Sequence, residues 1–289
     1  MEDQDRQQAG DDSDAMTRRG ALRVIGGVGL GLGVVGMAAS VGVAEASTAS
    51  DGAAPARPTG SPSEAPSCVL TTEIDDGPYY LDLEKVRHDI SEDRPGVPVN
   101  LRFVVVDATT CRPLPKAAVD IWMCDATGTY SGYATPSPAD SGPPPGGGFP
   151  HQEPINDKTF LRGVQLTDAR GVASFRSIFP GWYTGRAIHI HVKVHVGGTV
   201  TGSAYHGGSV SYTGQVFFPE SIITQVEKLQ PYAANPIARV LNSADAVYNR
   251  FDGASTLISL AHDRRGSVRD GLSGSVTLGV NPVAGSTAG

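Results

Sequence analysis

The chain has 289 residues, 39% of them hydrophobic and 18% charged, and a formal net charge of −7. That apolar content excludes disorder over the whole length, and an acidic chain with no basic stripe interleaved with aromatics argues against nucleic acid as a partner. Glycine (36) and proline (21) together make up roughly a fifth of the residues, well above the usual level of about 12%, which favours many turns and short strands.

In chain order, a polar, acidic start gives way to Arg18-Arg19 and an apolar, glycine-rich run from Val24 to about Val43, closed by Ala44-Glu45-Ala46. This pattern resembles a twin-arginine export signal over residues 1–46, with cleavage at the small-x-small triplet. The run is long enough for a membrane anchor, but its glycines weaken both helix and hydrophobicity, so no stable span is expected after cleavage. Residues 47–66 have the composition of a flexible linker. From there the composition stays uniform, and residues 67–289 are expected to form one domain, exported to the cell surface or beyond.

Residues 99–108 and 117–126 are apolar, β-branched stretches expected to be strands, and 163–179 two strands joined by a turn at Asp168–Gly171. Residues 187–196, "AIHIHVKVHV", have the clearest period of two: Ile188, Ile190, Val192, Val194 and Val196 share one face, and His189, His191, Lys193 and His195 the other. Pro219 opens a short helix over 219–230, another short helix is expected near 239–249, and "GSVTLGV" closes the chain as a strand. The expected fold class is all-β, an antiparallel β-sandwich with a few short helices and long loops. Of the three cysteines, Cys68, Cys111 and Cys124, no two form a C-x-x-C pair; one disulfide and one free thiol suit an exported protein, and the pairing is open.

Positions i and i+2 of a strand point the same way, so His189 and His191 can converge on one metal ion; imidazole alone does not select the metal. His195 is six residues beyond His189, about 20 Å along a strand, too far for the same ion. Taken alone, H-I-H-V-K-V-H also suits the wet face of a half-buried strand.

The surrounding segments sharpen the reading. "VDIWMCDATGTYSGY" and "SIFPGWYTGRAIHIHVKV" resemble the two signature segments of the intradiol ring-cleavage dioxygenases, the family of catechol 1,2-dioxygenase and protocatechuate 3,4-dioxygenase. "GPYY" at 77–80 is similar to the family's entry to its domain, and Gln215 lies in a matching "GQVFFPE". The resemblance implies a non-haem Fe(III) held by Tyr130, Tyr183, His189 and His191. It also implies catalytic roles for Tyr183, as the tyrosinate that leaves the metal and takes a proton, for Arg186, which would stabilise negative charge, and for Gln215, which would hold Arg186 or the substrate. The implied reaction inserts both atoms of O2 into a catechol and yields a cis,cis-muconate. Two phenolates and two imidazoles suit a hard ferric ion, whereas ferrous oxygenases use two histidines and a carboxylate.

Three departures bear on that expectation. Met123 stands where many members carry histidine or glutamine. His189 follows Tyr183 by only six positions, which suggests a shallower, more open pocket. No long helical segment precedes "GPYY", so the helical dimerisation region is not expected, leaving a monomer or small homo-oligomer. The competing readings are a secreted, non-enzymatic binding sandwich and a zinc or copper site; two tyrosines beside His-x-His argue against the first, and metal analysis separates the second.

Overall fold

The computed structural model describes residues 68–134, 151–263 and 266–288; the export signal and linker expected over residues 1–66 lie outside them. Among the described residues ten strands run β1 (Pro98–Asp107), β2 (Ala118–Trp122), β3 (Arg162–Leu166), β4 (Val172–Ile178), β5 (His189–Val196), β6 (Thr199–Thr201), β7 (Ala204–His206), β8 (Ser209–Phe217), β9 (Ser259–His262) and β10 (Leu272–Val280). Two short α-helices, α1 (Glu220–Val226) and α2 (Ala246–Arg250), follow β8. Pro219 stands at the N-cap of α1, as its sequence position suggests. Among the described residues no helix is long and apolar enough to cross a membrane.

One four-stranded sheet has the order β4-β1-β10-β9 and the other β3-β2-β5-β8, with β6-β7 a separate hairpin. Alternation along β1 turns Val99, Leu101, Phe103 and Val105 inward, where they share one core with Val119 and Ile121 of β2, Phe175 of β4 and Ile190, Val192 and Val194 of β5. This is a β-sandwich, as expected, with antiparallel pairing except for β1 and β10, which run parallel. The two strands expected across Asp168–Gly171 are both present, but β3 and β4 belong to different sheets, so the turn carries the chain from one layer to the other.

Both faces of β5 are buried. The half-wet reading of its histidine face fails because irregular chain covers that face. The arm before β1 pairs with the hairpin, Val86 N–H donating to Ser203 O (2.8 Å) and Tyr205 N–H to Glu84 O (2.9 Å). The arm is also clamped to residues 151–162, with Arg87 Nε donating to Arg162 O (2.8 Å) and Gln152 N–H to Pro78 O (2.9 Å). A disulfide joins Cys68 to Cys111, tying the start of this arm to the β1–β2 connection, and Cys124 is a buried thiol.

Candidate active site

Strand register assembles the centre of the site. Across the outer face of the second sheet, Arg162, Trp122, His191 and Gln215 lie directly opposite one another on β3, β2, β5 and β8. Trp122 stacks on His191, ring centroids 5.0 Å apart at 6°. Gly77 packs on the same imidazole, with space so limited that a Cβ there would lie 3.1 Å from His191 Cε1. Nδ1 of His191 has no hydrogen-bond partner among the described residues, so ring packing dominates its orientation.

The two tyrosines arrive on turns that touch each other. After β2, the Asp125 carboxylate accepts from the amides of Thr127 (2.9 Å) and Thr129 (3.1 Å), winding the chain tightly before Tyr130. Arg162 clamps the next residue, Nε donating to Ser131 Oγ (2.8 Å) and Nη2 to Ser131 O (2.9 Å). After β4, Trp182 Nε1 donates to Ile237 O (2.7 Å) and sets the turn that carries Tyr183. The glycines of the two segments allow the close approach: a Cβ on Gly128 would strike Trp182 O, and one on Gly181 would strike Asp125 O.

The four residues named from the sequence come together. Nε2 of His189 lies 3.0 Å from Nε2 of His191 and 3.5 Å from Tyr183 Oη. The Tyr130 ring is 5.5 Å from that of Tyr183 and 6.0 Å from that of His191, and Tyr79 stacks on it at 4.7 Å. His195 stays apart, its ring 5.8 Å from that of Tyr205.

The electrostatics favour neutral donors until a cation arrives. Burial, reinforced by Arg186, pushes the His189 pKa down to about 3. Burial and then neighbouring His189 hold His191 well below its ordinary value. Nδ1 of His189 lies 2.7 Å from Ala187 O; a carbonyl only accepts, so the proton sits on Nδ1 and the Nε2 lone pair faces His191 and Tyr183. Burial, then the charge of Tyr183, raises the Tyr130 hydroxyl well above the usual phenol value, so a bound metal cation would be needed to ionise it.

This donor set fits a metal. Two imidazoles at right angles on one ion, each bound at about 2.1 Å, place their nitrogens about 3 Å apart, and the observed separation is 3.0 Å. The other donors facing them are phenols. Among the described residues no group of three or more His, Cys, Asp or Glu side chains is arranged to hold a metal, so the two-histidine, one-carboxylate set of ferrous oxygenases is not built here.

Arg186 and Gln215 meet as well: Arg186 Nη2 donates to Gln215 Oε1 (2.5 Å), and Gln215 Nε2 donates to Asp75 O (3.3 Å). Sequence reasoning passed over the carboxylate that holds this arginine, Asp245, which accepts from Arg186 Nε (3.0 Å) and the Ala187 amide (2.8 Å). Burial alone would raise the Asp245 pKa, but Arg186 and the Ala187 amide outweigh it and hold the carboxyl below its usual range. The helix expected near 239–249 places Asp245 inside it, whereas α2 begins at Ala246 with Asp245 as its N-cap; an aspartate there can signal a cap but says nothing of Arg186.

No protein-family model matches the chain, and no curated protein matches it. Among solved structures, an intradiol ring-cleavage dioxygenase from Tetranychus urticae is 32% identical, covers 76% of this chain and 98% of its own, and superposes with a TM-score of 0.65. A second solved dioxygenase is 31% identical, with the same coverage and a TM-score of 0.64. With that identity over nearly the whole of the Tetranychus urticae enzyme, the chain belongs to the intradiol ring-cleavage dioxygenases.

Proposed function

We propose that this protein uses Fe(III), held by Tyr130, Tyr183, His189 and His191, to open a catechol between its two hydroxylated carbons, taking up both atoms of O2 and releasing a cis,cis-muconate. One observation carries the reading: two neutral imidazole nitrogens 3.0 Å apart, faced by phenols. A ferric ion bound there supplies Lewis acidity that favours the ionised forms of catechol and of the two phenols.

The protein's own groups then have separate tasks. The imidazoles of His189 and His191 stay neutral at pH 7, so their lone pairs need no deprotonation before binding a metal. Tyr183, 3.5 Å from His189 Nε2, takes one proton from the incoming catechol as a general base. Arg186 holds a fixed positive charge beside the ring and meets the negative charge that develops on it; losing one such donor typically costs about 100- to 1,000-fold in turnover. Gln215 keeps the guanidinium aimed. Tyr79 and Trp122, both fully buried, shield the donors from bulk water.

Catechol, O2 and the iron-loaded protein without reductant test the reading. The expected result is a red-brown protein and a colourless, ultraviolet-absorbing muconate. A yellow semialdehyde, or dependence on ferrous iron and reductant, would overturn it. We also propose that Arg18-Arg19 directs export by the twin-arginine route; unchanged secretion after both are replaced by lysine would rule that out.

A further inference from the structure

We propose that Asp245 is a positioning residue whose single carboxylate fixes both the Arg186 guanidinium and the tautomer of His189. The inference rests on the function proposed above and concerns a residue outside the donor set.

Four N–H groups converge on two oxygens. Oδ1 accepts from the amides of Val247 (2.7 Å) and Tyr248 (3.2 Å), capping α2. Oδ2 accepts from Arg186 Nε (3.0 Å) and from the Ala187 amide (2.8 Å). The Arg186 and Asp245 side chains are 3% and 0% exposed, so water has almost no access to this pair. Ala187, held by its amide, presents its carbonyl to His189 Nδ1 at 2.7 Å, and this contact leaves the Nε2 lone pair facing His191 and Tyr183. One acidic side chain therefore couples three things: the start of a helix, the direction of the positive charge and the direction of a ligand lone pair. Neutral side chains of similar size lack four acceptor positions. Asparagine has one oxygen, and its amide N–H groups would face donors on the other side. Serine caps a helix as well as aspartate does but is too short to reach Arg186 and Ala187 at the same time.

The test uses the full chain, Asp245→Ser and Asp245→Asn. In metal-free protein, nitrogen-15 NMR of the histidine rings reports the His189 tautomer; the parent should carry its proton on Nδ1, and both variants should show a mixture. In iron-loaded protein, Asp245→Ser should lower kcat for catechol by about 100-fold, the scale of a 1 Å misplacement, with a smaller change in KM. Placed in an Arg186→Lys background, the same substitution should cost less than about threefold, because the two act as a unit. Asp245→Asn carries the same measurements if the serine variant does not fold. An unchanged tautomer in both variants, or equal losses in the two backgrounds, overturns the assignment. A parent protein that opens no catechol sinks the proposed function instead, and the tautomer measurement then decides the role of Asp245 by itself.

Discussion

Replacing Gly77 with alanine tests how tightly the arm before β1 is fitted to His191. Gly77 has φ +71, a conformation that costs a residue with a Cβ about 1–2 kcal/mol. The added carbon would lie 3.1 Å from His191 Cε1 and 3.7 Å from Nε2. The imidazole has little room to retreat, since its ring is stacked on Trp122. Gly197 is the control: its φ is +81, and a Cβ there meets nothing within 4 Å. Gly197→Ala should therefore lose the backbone cost alone, and Gly77→Ala about 1 kcal/mol more, which at about 2–4 °C per kcal/mol for a domain of this size is visible in a thermal melt. A displaced ligand ring should also weaken metal binding by about 10- to 100-fold, read by competition with a chelator, while Gly197→Ala binds as the parent does. Equal melting temperatures and equal metal affinities in the two variants would refute the argument that Gly77 sets the position of His191.

Three further outcomes are expected. Tyr183→Phe should keep part of the iron and turn over catechol at least about 100-fold more slowly, the lower end for loss of a general base, and turnover equal to the parent would remove Tyr183 from that role. Replacing Cys68 and Cys111 together with serine opens a loop of 43 residues and should cost up to about 4 kcal/mol in chemical denaturation; a loss under about 1 kcal/mol would show that the bridge adds little constraint. Burial raises Asp120 to about pKa 7 against the pull of Arg162 and Lys193, whereas an unfolded aspartate titrates near 3.9. Because the folded carboxyl holds its proton to higher pH, its contribution to stability is full below about pH 4 and is lost as pH rises to about 7. Asp120→Asn should flatten that part of the stability profile and exceed the parent in stability at pH 8; parallel profiles for the two proteins would contradict it.

What the sequence makes legible is local. Alternation identifies β5 and puts His189 and His191 on one face, and the Gly-x-Tyr and Pro-Gly-x-Tyr segments pick out Tyr130 and Tyr183. The stacking of Trp122 on His191 is different in kind, since it depends on the register of β2 against β5. Asp245 meets Arg186 across 59 positions. The burial of Lys193 depends on the arm before β1, which has no periodic pattern: Asp76 pairs with Lys193 Nζ at 2.7 Å, and the Tyr80 ring lies 3.8 Å from the same nitrogen. β8 is hard to see because Ser211, Thr213, Gly214 and Gln215 dilute its apolar residues, although its burial is nearly complete. Local pattern reveals what a segment prefers, and these contacts depend on what lies next to it.

The pairing of β1 with β10 sets an order of events in synthesis. β10 sits between β1 and β9, so the first sheet lacks one of its two central strands until residues 272–280 exist. β1, made much earlier, must wait with one edge open while most of the described chain is produced. Pairing over so long a separation is slow to form, and an unpaired apolar strand is prone to association with other chains. Folding of this sandwich is therefore expected to complete only after residues 272–280 have been made, and the waiting edge of β1 is where a holding chaperone would have most to protect.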